Sequence, residues 1–264
     1  MLIYEELFDL IWLDVLLMLC GWLWVSYNKH AGLVDAIWAF GIALNVILAS
    51  IMWDVAPVWI RVFLGGASGI WFLRLTWHLL RRYFSETEED TRYANMRLAM
   101  GKYQHLGFLA FFIFQAGLIV LFSYPMLALL SVPINQWGPS TAMYLILAAV
   151  IMLVAFFGES LADEQLYRFK QDPENKGKTM DQGLWRYSRH PNYFFEWLHW
   201  FAYPIIGLTA GVYALWFYPI LMWLFLYYVT GIPFSEQQAL AHRGDNYKDY
   251  QRRTSMFIPW QPKE

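Results

Sequence analysis

Cysteine is almost absent: Cys20, set in an apolar run, is the only one in 264 residues. An intramolecular disulfide is therefore impossible, and a thiolate metal site has no ligand set. HExxH and other strong metal spacings are missing, as are a GxGxxG fingerprint and any nucleophile placed beside a base. Charge is also scarce, with 15% Asp, Glu, Lys and Arg and a net charge of -2, which leaves no basic field for nucleic acid. The opening MLIYEELFDL holds no Lys or Arg and so lacks the positive start of a cleavable signal peptide; the first apolar segment is expected to stay.

What the chain does have is apolar surface. At 58% hydrophobic and 20% aromatic residues it is too apolar for an ordinary soluble domain and fits an all-α integral membrane protein. A span needs about 20 mostly apolar residues. Seven candidates follow, at about residues 7–27, 34–53, 57–80, 106–130, 140–162, 192–210 and 213–232, with a polar tail over 236–264. They form a single membrane domain without repeats. Asp9 and Asp14 would have to face protein or the interface. Nearly all Lys and Arg fall in the loops after spans three and five and in the tail, on one side of the membrane. The positive-inside rule then places the N-terminus outside and the C-terminus in the cytoplasm. The ending MFIPW suits folding back on the membrane surface.

The polar clusters all lie on that cytoplasmic side and predict one composite site. Converging Arg and Lys suit phosphates, since guanidinium groups bind them in bidentate fashion, and Trp185, Tyr187, Tyr193 and Trp200 could stack on planar rings. For any single cation, setting topology or binding anionic lipid is the commoner role. Pro191 and Asn192 mark a helix start whose amides and dipole would point at an anion. Glu196, near that start, could cap, pair with Arg189, or accept a hydrogen bond from a ribose hydroxyl or carboxamide. Asp35, Arg74, His78, Glu159, Asp163, Glu196 and His199 are the ionisable groups in or beside spans, and so the functional candidates. Glu159 and Asp163 share one helical face.

The motifs GLW and SRHPNYFFEW (183–185 and 188–197), GESLADEQLYRFK, EEDTRYANMR and YKDYQRRTSMFIPW resemble the bacterial branch of the steroid 5-alpha-reductase family of membrane enzymes. The likeness covers most of the chain and is strongest from residue 158. It implies seven spans and NADPH-dependent reduction of a carbon-carbon double bond conjugated to a ketone, with the cofactor on the cytoplasmic side. The resemblance places Asn192, Glu196 and Trp200 at the nicotinamide and ribose, and Asp163 at the adenosine, with Glu159 beside it. Lys170 and Lys178 stand where the family has phosphate-binding arginines. Arg81, Arg82, Arg92 and Tyr93 lie in the loop that closes over the cofactor; Arg189 and Tyr193, within SRHPNYFFEW, join the cofactor-binding set, and Arg243 and Tyr247 are looser matches. Two positions depart from the pattern. Phe195 stands where the family usually has Gly, and His78 falls on the tyrosine that polarises the ketone, with Asp35 assigned to the accompanying acid. The substrate expected is a lipophilic enone entering from the bilayer, in a bacterial inner membrane, with the protein a monomer among membrane lipids.

Two other readings remain. Membrane methyltransferases of the isoprenylcysteine carboxyl methyltransferase type share RHPxY and bind S-adenosylmethionine. A non-catalytic lipid- or nucleotide-binding membrane protein would also fit the missing tyrosine.

Overall fold

The computed structural model describes residues 2–85 and 89–263, with side chains described from Glu5 onward. Met1, Glu86, Thr87, Glu88 and Glu264 lie outside the described residues; Glu88 is the first residue of the EEDTRYANMR motif. Among the described residues the regular structure is helical, with no strand. Six helices there are long and apolar enough to cross a membrane. The chain divides into two compact units, residues 1–137 and 138–264.

The first unit holds α1 (Leu2–Asn28), α2 (Leu33–Met52), α3 (Val58–Ser85), α4 (Thr91–Met100) and α5 (Gln104–Leu130). On α1 the protein-facing stripe is Leu10, Asp14, Met18, Gly21 and Val25, a helical period, while Phe8, Trp12, Leu16 and Leu23 are exposed. Exposed apolar side chains on a helix of this length suit lipid tails. The helix starts five residues earlier than the expected span, which puts Asp14 near its middle instead of near its beginning. α4 is short and polar, and begins where the Asp90 carboxylate accepts the Arg92 N–H.

The second unit holds α6 (Thr141–Gln171), α7 (Pro191–His199), α8 (Ala202–Gly207), α9 (Phe217–Leu224) and α10 (Ile232–Arg253). α6 extends well beyond the expected span and carries its polar end, Asp163 to Gln171, as continuous helix. The expected span 192–210 is instead two pieces of 9 and 6 residues, α7 and α8, separated at Trp200 and Phe201. A nine-residue helix is only about 14 Å long, so neither piece crosses a bilayer by itself. A π-helical turn, Phe225–Val229, follows α9. α10 is bent at Gly244, whose φ of 51° lies in the left-handed region that glycine adopts without a Cβ clash.

Candidate functional site

In the second unit the helix α6 and the start of α7 meet through polar side chains. Glu159 and Asp163, one turn apart on α6, are both buried. Pro191 opens α7, where its missing N–H costs nothing. The Asn192 side chain spans the joint: its Nδ2 donates to Asp163 Oδ1 at 3.2 Å and its Oδ1 accepts the Tyr193 N–H at 3.0 Å. Glu196 is also buried, and its Oε1 accepts Trp200 Nε1–H at 3.0 Å, one turn along. The His199 ring lies beside it, with Nδ1 2.8 Å from the Glu196 carbonyl. Asp163, Asn192, Glu196 and Trp200, assigned from the resemblance, therefore fall on the two helices α6 and α7 and the residue after them.

Arg189 does not pair with Glu196. Its partner is Glu236 on α10, with Nε to Oε1 at 2.9 Å and Nη2 to Oε2 at 3.2 Å. Arg189 also donates from Nη1 to the carbonyls of Gln251 and Thr254, both at 3.0 Å. Glu236 is the hub of the tail. It further accepts from His190 Nε2 and from the Tyr247 hydroxyl, both at 2.8 Å, and from Gln251. Burial would raise the Glu236 carboxyl, but these hydrogen bonds, from His190, Gln251 and Arg189, bring it down to about 2. Burial pushes His190 below its ordinary value, so the imidazole is neutral and donates its Nε2 proton. Tyr193 stacks on His190 with ring centroids 5.5 Å apart. The tail thus folds back on the RHP segment: Arg189 N donates to Ser255 O at 2.8 Å, Ser188 Oγ to Phe257 O at 2.8 Å, and Trp260 N to Tyr187 O at 2.9 Å. MFIPW is split between the two surroundings, since Phe257 is buried against Phe194 and Trp197 while Ile258 and Trp260 are exposed.

A cleft of about 390 Å³ opens at the polar end of α6. Leu166, Phe169 and Met180 line it with apolar surface, and Lys170, Lys176, Lys178 and Arg243 line it with positive charge. Lys176, Lys178 and Arg243 make no ion pair among the described residues. The Arg243 guanidinium lies 5.4 Å from the Tyr247 ring centre. Asp172 also reaches the cleft, with its Oδ1 accepting the Glu174 N–H at 2.9 Å. Lys176, Lys178 and Arg243, unpaired with carboxylates among the described residues, beside an apolar floor fit a ligand that carries both a planar ring and phosphate. Lys170, Lys178 and Arg243 were expected from the resemblance and share this cleft. Lys176 was missed, although its place between Lys170 and Lys178 in a polar loop was the available signal. Glu236 was missed as well; it is an ordinary tail residue until α10 returns to the RHP segment.

In the first unit Asp35 accepts the Tyr93 hydroxyl at 2.7 Å and Arg92 Nη2 at 3.1 Å, with Arg82 Nη2 at 3.5 Å. Arg92 also binds Asp90 through Nε at 3.1 Å and Nη2 at 2.9 Å. Burial would raise Asp90, but the Arg92 side chain and N–H and the charges of Arg92 and Arg82 hold it below its ordinary value. These contacts tie α4 to the start of α2. Asp35 is positioned as an acceptor, with three donors on its oxygens. His78 is half-buried on α3 and Arg81 is exposed.

A multi-pass helical membrane protein is the class these helices define. The chain belongs to the family DUF1295, described as a protein of unknown function, whose model matches residues 21–254. That family includes steroid 5-alpha-reductase-like proteins. The chain is also similar to an uncharacterized protein of Schizosaccharomyces pombe, 26% identical over 261 residues, covering 88% of this chain and 74% of the relative. No solved structure matches it significantly.

Proposed function

We propose that the chain is an NADPH-dependent membrane reductase that acts on a carbon-carbon double bond conjugated to a ketone in a lipophilic substrate, steroid-like or otherwise isoprenoid. The observation that carries this reading is the cleft beside α6, with Lys170, Lys176, Lys178 and Arg243 around Leu166, Phe169 and Met180. Such a lining fits the phosphates and adenine of NADP(H). The polar seam of Asp163, Asn192, Glu196 and Trp200, in the same unit, supplies acceptors and donors for the ribose and carboxamide. When bound, the cofactor would supply the hydride. The chain's own part is to hold it, through the lysines and Arg243, and to put a proton donor at the ketone oxygen, a role the resemblance gives to His78. Asp35, engaged by Tyr93, Arg92 and Arg82, serves instead to fasten the loop.

The accompanying topology is seven spans, six of them the long apolar helices and the seventh α7 and α8 together, with the N-terminus outside and the cofactor cleft cytoplasmic in a bacterial inner membrane. The side carrying the cleft is the side that carries most Lys and Arg. A membrane methyltransferase would need none of the phosphate-binding cations.

The test is consumption of NADPH by the purified protein in lipid vesicles, given a panel of lipid-soluble enones. Reduction of at least one enone, with a rate in His78→Ala reduced about 100-fold or more and NADPH affinity kept, supports the reading. Transfer of a methyl group from S-adenosylmethionine, with no NADPH consumed, would replace it.

A further inference from the structure

Asp14 lies on the protein-facing stripe of α1, about 20 Å from either end of the helix, and is fully buried. Beside it are Asn45 of α2, 1% exposed, and Ser123 of α5, fully buried. Asn45 Nδ2 donates to Asp14 Oδ2 at 2.8 Å and to Ser123 Oγ at 3.2 Å. Three helices therefore bring a carboxylate, an amide and a hydroxyl together at membrane depth. Two oxygens of the group, Asp14 Oδ1 and Asn45 Oδ1, are buried without a hydrogen-bond partner among the described residues.

A carboxylate in such a place costs several kcal/mol unless its charge is offset. Among the described residues nothing on α1, α2 or α5 offsets it. α1 carries no Lys or Arg, α5 has no charged side chain, and the only charged residue of α2, Asp35, is an acid ten positions before Asn45. Among the described residues no Lys, Arg or His pairs with Asp14. The available groups are all hard oxygen donors, the kind that alkali and alkaline-earth cations take. Charge balance then selects the valence. One carboxylate neutralises a monovalent ion, whereas a divalent ion would leave a net positive charge in the apolar layer.

We propose that Asp14, Asn45 and Ser123 form an intramembrane binding site for Na⁺. Half a turn of the Asn45 carboxamide about its soft terminal torsion puts Oδ1 where Nδ2 now stands. Carboxylate, amide and hydroxyl oxygens from three helices then adjoin, at the 2.8 and 3.2 Å that now separate Asn45 Nδ2 from Asp14 Oδ2 and Ser123 Oγ. The ion joins α1, α2 and α5 and removes the cost of the buried charge, so it stabilises the folded state by mass action. The inference is independent of the proposed reductase activity.

The test is thermal unfolding of the full chain in detergent, in NaCl or in N-methyl-D-glucamine chloride at equal ionic strength. The site predicts a melting temperature that rises with Na⁺ concentration, an effect abolished in Asp14→Asn and an apparent Na⁺ affinity about tenfold or more weaker in Ser123→Ala. Ser123→Ala keeps the test open if Asp14→Asn does not fold. Equal melting in the two salts, or a Na⁺ effect unchanged in either variant, would overturn the proposal. So would an infrared carbonyl band of a protonated carboxyl that persists in NaCl and disappears in Asp14→Asn, since a proton would then occupy the place of the ion.

Discussion

The ring of Phe195 lies directly over Gly158: a Cβ built on Gly158 would fall 2.4 Å from Phe195 Cε1. Phe195 stands where the resembling family usually has glycine, so the bulk added on α7 is met by a missing side chain on α6. The two residues adjoin Glu159 and Glu196, which makes this contact the spacer that sets α6 against α7. Gly158→Ala should destabilise the protein by about 1–3 kcal/mol through overpacking. Adding Phe195→Ala should recover much of that loss, because the two changes share one contact. Thermal melts of the two single variants and the double variant measure the coupling.

Acidification should loosen the tail in two stages. The folded-state pKa of His190 is depressed from its ordinary 6.5, so its contribution is present above that value and declines as the pH falls through it. Glu236, depressed from 4.5 to about 2, contributes fully above 4.5 and loses its contribution as the pH falls toward 2. Glu236→Gln should remove the lower stage and cost about 3 kcal/mol, because it leaves Arg189 buried with half its partners. Melting temperature against pH, for wild type and variant, reads both stages.

The Asp35 contacts predict a mechanical effect in the first unit. Asp35→Ala takes one acceptor from Tyr93, Arg92 and Arg82 together and so releases α4 from α2. Limited proteolysis should then cut between residues 85 and 104 faster in the variant than in wild type. Tyr93→Phe, which removes a single hydrogen bond, should have a smaller effect, about 1 kcal/mol on stability.

Span positions were legible in the sequence because apolar runs of this length leave little choice, and α2, α3 and α5 cover the expected segments. The polar ends were less legible. Asp163 to Gln171 is helical although its composition is polar, since a helix already formed by its apolar part extends at little cost. α7 and α8 read as one span because composition registers apolarity and not the turn at Trp200 and Phe201. Among site residues, Lys170, Lys178 and Arg243 were reachable through the resemblance. The Arg189 pairing was not, since it depends on the start of α10 packing against the RHP segment, a tertiary event. The sequence requires Asp14 to face protein or the interface, but its partner, Asn45 of α2, is set by the packed helices.

The cleft predicts how cofactor binding divides among its cations. Lys178→Ala should weaken NADPH by about tenfold or more through loss of a charge-assisted contact, and Lys176→Ala by a comparable factor. Binding titrations against the wild type check this. Arg168→Ala, in which a surface residue paired with Glu164 at 2.7 Å is removed, should leave the affinity unchanged.

The most direct test of the central claim is equilibrium binding of NADPH, NADH and S-adenosylmethionine to the detergent-purified protein at low and high salt, with the variant Lys170→Ala/Lys178→Ala/Arg243→Ala alongside. NADPH binding should weaken steeply with salt, exceed NADH binding, and be lost in the triple variant. Binding of S-adenosylmethionine alone, or NADPH binding that salt and the triple variant leave unchanged, would contradict it.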